Sequence, residues 1–211
     1  MIAIIDYGMG NPASIRNMLS RIGHHAELIK NPTESQGRGA THYILPGVGA
    51  FDEGMTRLTD TGWASHLRTV VAPERHPLLG ICLGMQLLFE SSAEGRLPGL
   101  ALIGGDVARF DFSSHPKPAP RVPHMGWKHV TPKGGDANPL FSGLEVEARF
   151  YFVHSYYCRC AVPSEAVAEA RHGHTFTCAT RRDRLFGVQF HPEKSHRFGM
   201  RLLDNYARLA H

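Results

Sequence analysis

The sequence predicts an α/β fold: a doubly wound, mostly parallel sheet with antiparallel additions. Two observations carry this expectation. Short apolar or β-branched runs alternate with longer segments of helical period through the first half of the chain, and strand-like runs dominate the second half. The 211 residues read as one domain spanning 1–211, with no internal repeat and no linker.

Ile2-Ala3-Ile4-Ile5 has the unbroken apolar character of a strand buried on both faces. Asn11-Pro12 then starts a helix, because Asn can cap free backbone donors and Pro is pre-set for the first helical position. Ile15, Met18, Leu19 and Ile22 recur at helical spacing, and Gly23 ends the segment. Ala26–Ile29 and His42–Leu45 read as strands, separated by a loop rich in Gly, Pro, Ser and Thr. Residues 51–71 are helical in part, and Pro77-Leu78-Leu79 opens a further strand that leads into the helix-like Leu87-Leu88-Phe89-Glu90. From Leu100 to Val153 the chain is strand-rich, with 113–120 irregular. Ala166–Ala170, Phe176–Thr180 and Leu185–Phe190 read as further strands, and Gly199–Leu209 as a closing helix.

Hydrophobic residues make up 42% of the chain and charged ones 20%, the balance of a globular protein rather than a disordered one. No apolar run has the length of a bilayer span, and the N-terminus reads as a first strand rather than a signal peptide. Four cysteines, Cys82, Cys158, Cys160 and Cys178, do not make a disulfide framework, so a reducing cytoplasm is the expected compartment. Cys158 and Cys160 stand two apart on a strand-like run, a spacing that suits neither a zinc knuckle nor a redox pair, and no metal is expected. The net charge of +4 is scattered. Its densest cluster, Arg181-Arg182-Asp183-Arg184, reads as a solvated turn, and nothing accompanies it that would read nucleic acid. His172, His174 and His211 read as surface residues.

Three motifs carry chemistry. Gly80-Ile81-Cys82-Leu83-Gly84 places a cysteine where a strand turns sharply into a helix, with Gly two residues to either side. Such a turn is strained, and small neighbours let the central side chain stand at the sheet edge. Its position at a helix N-terminus favours thiolate over thiol. The plain alternative is a cysteine buried in a core strand. In Gly187-Val188-Gln189-Phe190-His191-Pro192-Glu193, a strand delivers a His, and Pro biases it towards extended geometry, so His191 and Glu193 project in similar directions. A thiol nucleophile needs a base, and the base needs a group to fix its tautomer; Cys82, His191 and Glu193 fill these roles. Pro46-Gly47-Val48-Gly49 is a turn able to aim the amides of Val48 and Gly49 into a cavity, where with the amide of Leu83 they would hold an oxyanion. Alone, such a loop is more often just a tight turn.

The elbow, extended to Met85-Gln86, and His191-Pro192-Glu193 resemble the signatures of class I (triad-type) glutamine amidotransferases, and among these the glutaminase subunits of imidazole glycerol phosphate synthases. The resemblance runs through 5–11, 46–51, 123–127, 152–157 and 190–195. It implies a flavodoxin-like fold and no cofactor. It also implies that Cys82 attacks the side-chain amide of glutamine while His191 moves the proton to the departing ammonia. Gly49, Gln86, Ser155 and Tyr156 match positions that hold the glutamine. The family passes ammonia to a (β/α)8 cyclase partner in a heterodimer, for which Asn11, Met125, Trp127 and Tyr151 are the matching interface candidates. Trp127 is equally a candidate for core packing. The resemblance further implies weak glutaminase activity for the isolated chain.

Pro12, Ala13 and Lys128 depart from the histidine-pathway pattern, and the runs 14–19 and 195–200 are closer to paralogues that aminate a sugar for surface-glycan synthesis. A catalytically silent regulatory subunit and a partner-free cysteine hydrolase are the remaining readings.

Overall fold

Ile2, Ala3, Ile4 and Ile5 form β1 and all four are buried, because successive side chains point into two different cores. Ile2 and Ile4 face one apolar cluster and Ala3 and Ile5 the other. Each fully buried isoleucine is worth about 1.5–3 kcal/mol relative to exposure. The computed structural model describes residues 1–133 and 138–210, so His211, and positions 134–137 of the strand-rich stretch, lie outside the described residues.

Helix α1 (Pro12–Arg21) follows, its N-terminus closed by the Asn11 side chain, which accepts from the Ser14 amide. Next come β2 (Ala26–Ile29), α2 (Pro32–Gly37), β3 (His42–Leu45), α3 (Phe51–Asp60) and α4 (Trp63–His66), which runs on into a wider π-helical turn at Leu67–Val71. Helix α2 corrects the expectation of a plain loop: Asn31 caps it by accepting from Glu34, with Pro32 at the first position, repeating the Asn-Pro start of α1.

After β4 (Leu78–Ile81), α5 (Leu83–Leu87) and β5 (Ser91–Ser92), the chain becomes strand-rich as expected. It forms β6 (Gly105–Arg109), β7 (His124–His129), β8 (Thr131–Pro132), β9 (Arg149–His154) and β10 (Tyr156–Cys160). The strands β11 (Ala166–His172) and β12 (His174–Arg182) are longer than expected, joined by a hairpin turning at Gly173. Strand β13 (Leu185–Val188) stops two residues early, and the closing helix α6 (His196–Ala207) starts three residues earlier than its pattern suggested.

The strands β2-β1-β3-β4-β13 are parallel neighbours, the flavodoxin-like order. The sheet continues through β12, β10, β6 and β5, with β11 and β8 branching from β12, and most of these added pairs are antiparallel. Helices α1 and α6 cover one face and α3, α4 and α5 the other. β7 and β9 form a separate antiparallel ribbon, with His124 opposite His154 and Trp127 opposite Tyr151. No helix among the described residues is long and apolar enough to cross a membrane.

Candidate active site

Cys82 follows β4 directly and has φ 56°, ψ −110°, a conformation that non-glycine residues rarely hold. Its amide donates to the Val188 carbonyl at 2.8 Å, which ties the bend to the end of β13. The flanking glycines are required by space. A Cβ on Gly84 would stand 1.8 Å from the Leu45 carbonyl oxygen, and one on Gly80 would stand 2.6 Å from that of Gly84. The strained turn is therefore clamped between β3 and the first turn of α5.

β13 is parallel to β4, with Val188 beside Ile81, so the chain just past β13 runs beside the elbow. This brings His191 to Cys82 across more than a hundred residues of sequence. The Nδ1–H of His191 donates to Glu193 Oε1 at 2.8 Å, and both side chains are buried, 2% and 5% exposed. That bond fixes the tautomer and leaves Nε2 to exchange a proton. Nε2 is buried and has no hydrogen-bond partner among the described residues. Burial disfavours the imidazolium, but the Cys82 sulfur and the Glu193 carboxylate outweigh it and raise His191 to about 10. The sulfur thus favours a protonated ring, the form that can hand a proton to a leaving group.

Cys82 opens into a cleft of about 370 Å³ lined by Val48, Gly49, Leu83, Gln86, Glu94, Ser155 and Tyr156, with Pro123, Val153 and His154. All the residues expected to bind glutamine, Gly49, Gln86, Ser155 and Tyr156, line it. So does Glu94, which sequence reasoning missed. One of its oxygens accepts from the Phe51 amide at 3.0 Å at the start of α3. Gln189 was also missed: it is fully buried and turns its amide nitrogen to the Cys82 sulfur at 3.7 Å. A polar residue inside the apolar run before His191 was the available signal. A second cleft, of about 300 Å³, lies at the opposite ends of β4 and β13 among Arg75, Arg182 and Arg184, away from any of these groups.

The glycine loop follows β3 and borders the Cys82 cleft through Val48 and Gly49. The buried Tyr7 hydroxyl anchors it by donating to the Pro46 carbonyl at 2.8 Å. The Leu83 N–H, expected as an oxyanion donor, instead donates to the Gly47 carbonyl at 3.3 Å. In this conformation the loop occupies the donor it was expected to assist.

Met125 and Trp127 point outward from β7, 62% and 43% exposed, so Trp127 is not a core residue. Its ring stacks on His196 with centroids 5.3 Å apart and packs edge-on against Tyr151. Asn11 is exposed, with its side-chain oxygen taken by the α1 cap. His172 and His174 are corrected from surface residues to half-buried members of an aromatic cluster around Phe110, drawn in because the β11–β12 hairpin joins the sheet beside β10. Arg182, the last residue of β12, and Asp183, in the turn to β13, are exposed as expected. Among the described residues no group of three or more His, Cys, Asp or Glu side chains is placed to hold a metal ion.

Residues 3–208 match the family model of glutamine amidotransferase class-I. The chain is 49% identical over 210 residues to imidazole glycerol phosphate synthase subunit HisH 2 of Methanococcus maripaludis, covering the whole of both chains. It is 44% identical to subunit HisH of Bdellovibrio bacteriovorus and 45% identical to subunit HisH 2 of Pseudomonas aeruginosa, in each case over 99% of this chain and all of the relative. In fold it resembles a solved glutamine amidotransferase, with a TM-score of 0.71 at 19% identity, covering 97% of this chain and 96% of that one. It also resembles PurLQS from Thermotoga maritima, with a TM-score of 0.67 at 15% identity over the same shares. A family match over nearly every residue, joined by full-length relatives of 44–49% identity, means that this chain belongs to the class-I glutamine amidotransferases.

Proposed function

We propose that this chain is the glutaminase subunit of imidazole glycerol phosphate synthase, hydrolysing glutamine to glutamate and passing ammonia to a (β/α)8 cyclase subunit in a heterodimer. The single observation that carries the reading is a cysteine at the mouth of a cleft whose sulfur acts on a buried histidine bonded to Glu193, in a chain whose full-length relatives bear that subunit's name. The sulfur of Cys82 attacks the side-chain amide carbon of glutamine. His191, kept in one tautomer by Glu193, gives its Nε2 proton to the departing ammonia. Water, deprotonated by His191, then cleaves the glutamyl thioester and frees Cys82. Glutamine lies along the cleft, its α-ammonium on the free oxygen of Glu94 and its remaining polar groups on Gly49, Gln86, Ser155 and Tyr156. Turning the Gly47 carbonyl away from Leu83 releases that amide for the oxyanion, beside a donor from Val48 or Gly49.

The cyclase uses the ammonia to make imidazole glycerol phosphate and an aminoimidazole carboxamide ribonucleotide in histidine biosynthesis, in the cytoplasm. Met125, Trp127 and Tyr151, with Asn11 at the start of α1, form the surface that meets it. Charge-neutral ammonia handed on directly avoids protonation in bulk water.

The test is glutamate release by the chain purified with its cyclase, given the ribulosyl aminoimidazole-carboxamide nucleotide as acceptor. Release that this acceptor stimulates and Cys82→Ala abolishes is the expected result. Residual turnover in Cys82→Ala overturns the nucleophile. A partner that ignores this acceptor and aminates a keto-sugar replaces the pathway with glycan synthesis.

A further inference from the structure

Gln86 is buried, and its side-chain amide nitrogen lies 3.2 Å from the Tyr156 carbonyl and 3.1 Å from Gln189 Oε1. A primary amide has two N–H groups, so both are taken and only the Oε1 acceptor remains for a ligand. Gln189 in turn has its oxygen on Gln86 and its nitrogen towards the Cys82 sulfur. The orientation of both amides is therefore set at the Tyr156 carbonyl.

That carbonyl has a second and shorter partner, His154 Nδ1 at 2.7 Å. A carbonyl only accepts, so Nδ1 of His154 carries the proton. Its Nε2 lies 2.9 Å from Nδ1 of His124. With His154 neutral, Nε2 is the acceptor and His124 Nδ1–H the donor, which leaves a bare lone pair on His124 Nε2. That atom is buried and has no hydrogen-bond partner among the described residues, the arrangement that an acceptor tolerates better than an N–H. Burial, reinforced by the neighbouring histidines, holds His124 down at about 3. Burial likewise outweighs the Tyr156 bond and holds His154 at about 4. Every donor and acceptor from His124 to the Cys82 sulfur then has one direction.

We infer that His154 and His124 are positioning residues for glutamine binding: acting through the Tyr156 carbonyl, they hold the Gln86 amide with its oxygen offered to a donor on the substrate. The inference rests on the glutaminase reading above for the identity of the substrate. Packing alone makes a different demand. His124 stacks on His172 at 4.2 Å between centroids, and His154 packs against Phe110 and Phe176, contacts that a phenylalanine would keep.

The test is steady-state kinetics of His154 variants in the cyclase heterodimer, with a tautomer measurement on the unmodified protein. His154→Phe raises KM for glutamine about tenfold with little change in kcat, the signature of lost binding. In His154→Asn the amide nitrogen stands where Nδ1 stood, and KM returns to within about threefold of the parent. In His154→Gln it stands at Nε2, and the loss remains. Equal loss in the Asn and Phe variants, or an unchanged KM in the Phe variant, overturns the inference. Should the Phe variant fail to fold, long-range proton–nitrogen-15 correlation on the imidazoles of the parent decides. Nδ1–H tautomers at both His124 and His154 support the chain, and an Nε2–H tautomer at either one overturns it. Failure of the parent to turn over glutamine removes the substrate assignment and leaves that tautomer result standing on its own.

Discussion

The backbone amide of His191 donates to the carbonyl of Tyr151 at 2.9 Å, so the proposed base hangs from the ribbon that carries the exposed aromatic face. Ser195 completes the corner. Its hydroxyl donates to the His191 carbonyl at 2.6 Å and accepts from the Tyr151 amide at 3.1 Å. Ser195→Ala leaves both groups without that partner in a site with no exposure, at a cost of about 1–3 kcal/mol. The expected outcome is a lower urea midpoint and about a tenfold fall in kcat for glutamate release. A variant with parental midpoint and kcat would show the corner to be dispensable.

Gly84→Ala sets a methyl group 1.8 Å from the Leu45 carbonyl, where backbone rather than a flexible side chain must give way. The elbow cannot absorb this and keep Cys82 at its strained angles. Overpacking a rigid core costs about 1–3 kcal/mol or more, so thermal unfolding is expected well below the parent. Glutaminase activity is expected to vanish even in the folded fraction.

The buried histidine pair makes the protein acid-sensitive. His124 and His154 are held at about 3 and 4, below the ordinary value of 6.5, so the unfolded chain takes up protons that the folded chain refuses. Their contribution is fully present above pH 6.5 and is lost as pH falls from there through about 4 for His154 and about 3 for His124. Burial lowers His66 and His172 in the same sense. Each fully neutral group in that window contributes a slope of about 1.4 kcal/mol per pH unit. Denaturant unfolding at pH 7 and pH 5 measures it, and His154→Asn is expected to reduce the difference.

The Leu83–Gly47 hydrogen bond predicts a slow isolated subunit. One missing oxyanion donor lowers turnover by about 10²–10³-fold. Glutamate release by the chain alone is expected to be slower by at least about a hundredfold than in the cyclase complex with acceptor bound. Equal rates would mean that the loop opens without help.

Much of this was legible in the chain. The apolar runs of β1, β3 and β4 mark a sheet covered on both faces, because each residue there faces a core, and the glycines around Cys82 mark a turn where no side chain fits. Helix α2 escaped because the Pro, Thr, Ser and Gly around Asn31 have loop composition, although Asn31-Pro32 is the same start signal as Asn11-Pro12. The pairing of β7 with β9 rests on contacts far apart in sequence, which no local pattern encodes. For the same reason the half-buried state of His172 and His174 was hidden: it follows from a hairpin that joins the sheet beside β10. Glu94 was missed because an acidic residue beside a short strand has no periodicity to set it apart.

The ribbon of β7 and β9 divides its labour residue by residue. His124, Phe152 and His154 look inwards and are constrained by what they touch, whereas Met125 looks out to solvent and Trp127 lies at the surface against His196 and Tyr151. If the outward face meets the partner as proposed, altering a few outward positions would change the docking companion while the inward ones keep the cleft. Nitrogen delivery would in this way be portable between pathways, and a designer could re-address it by grafting that outer face alone.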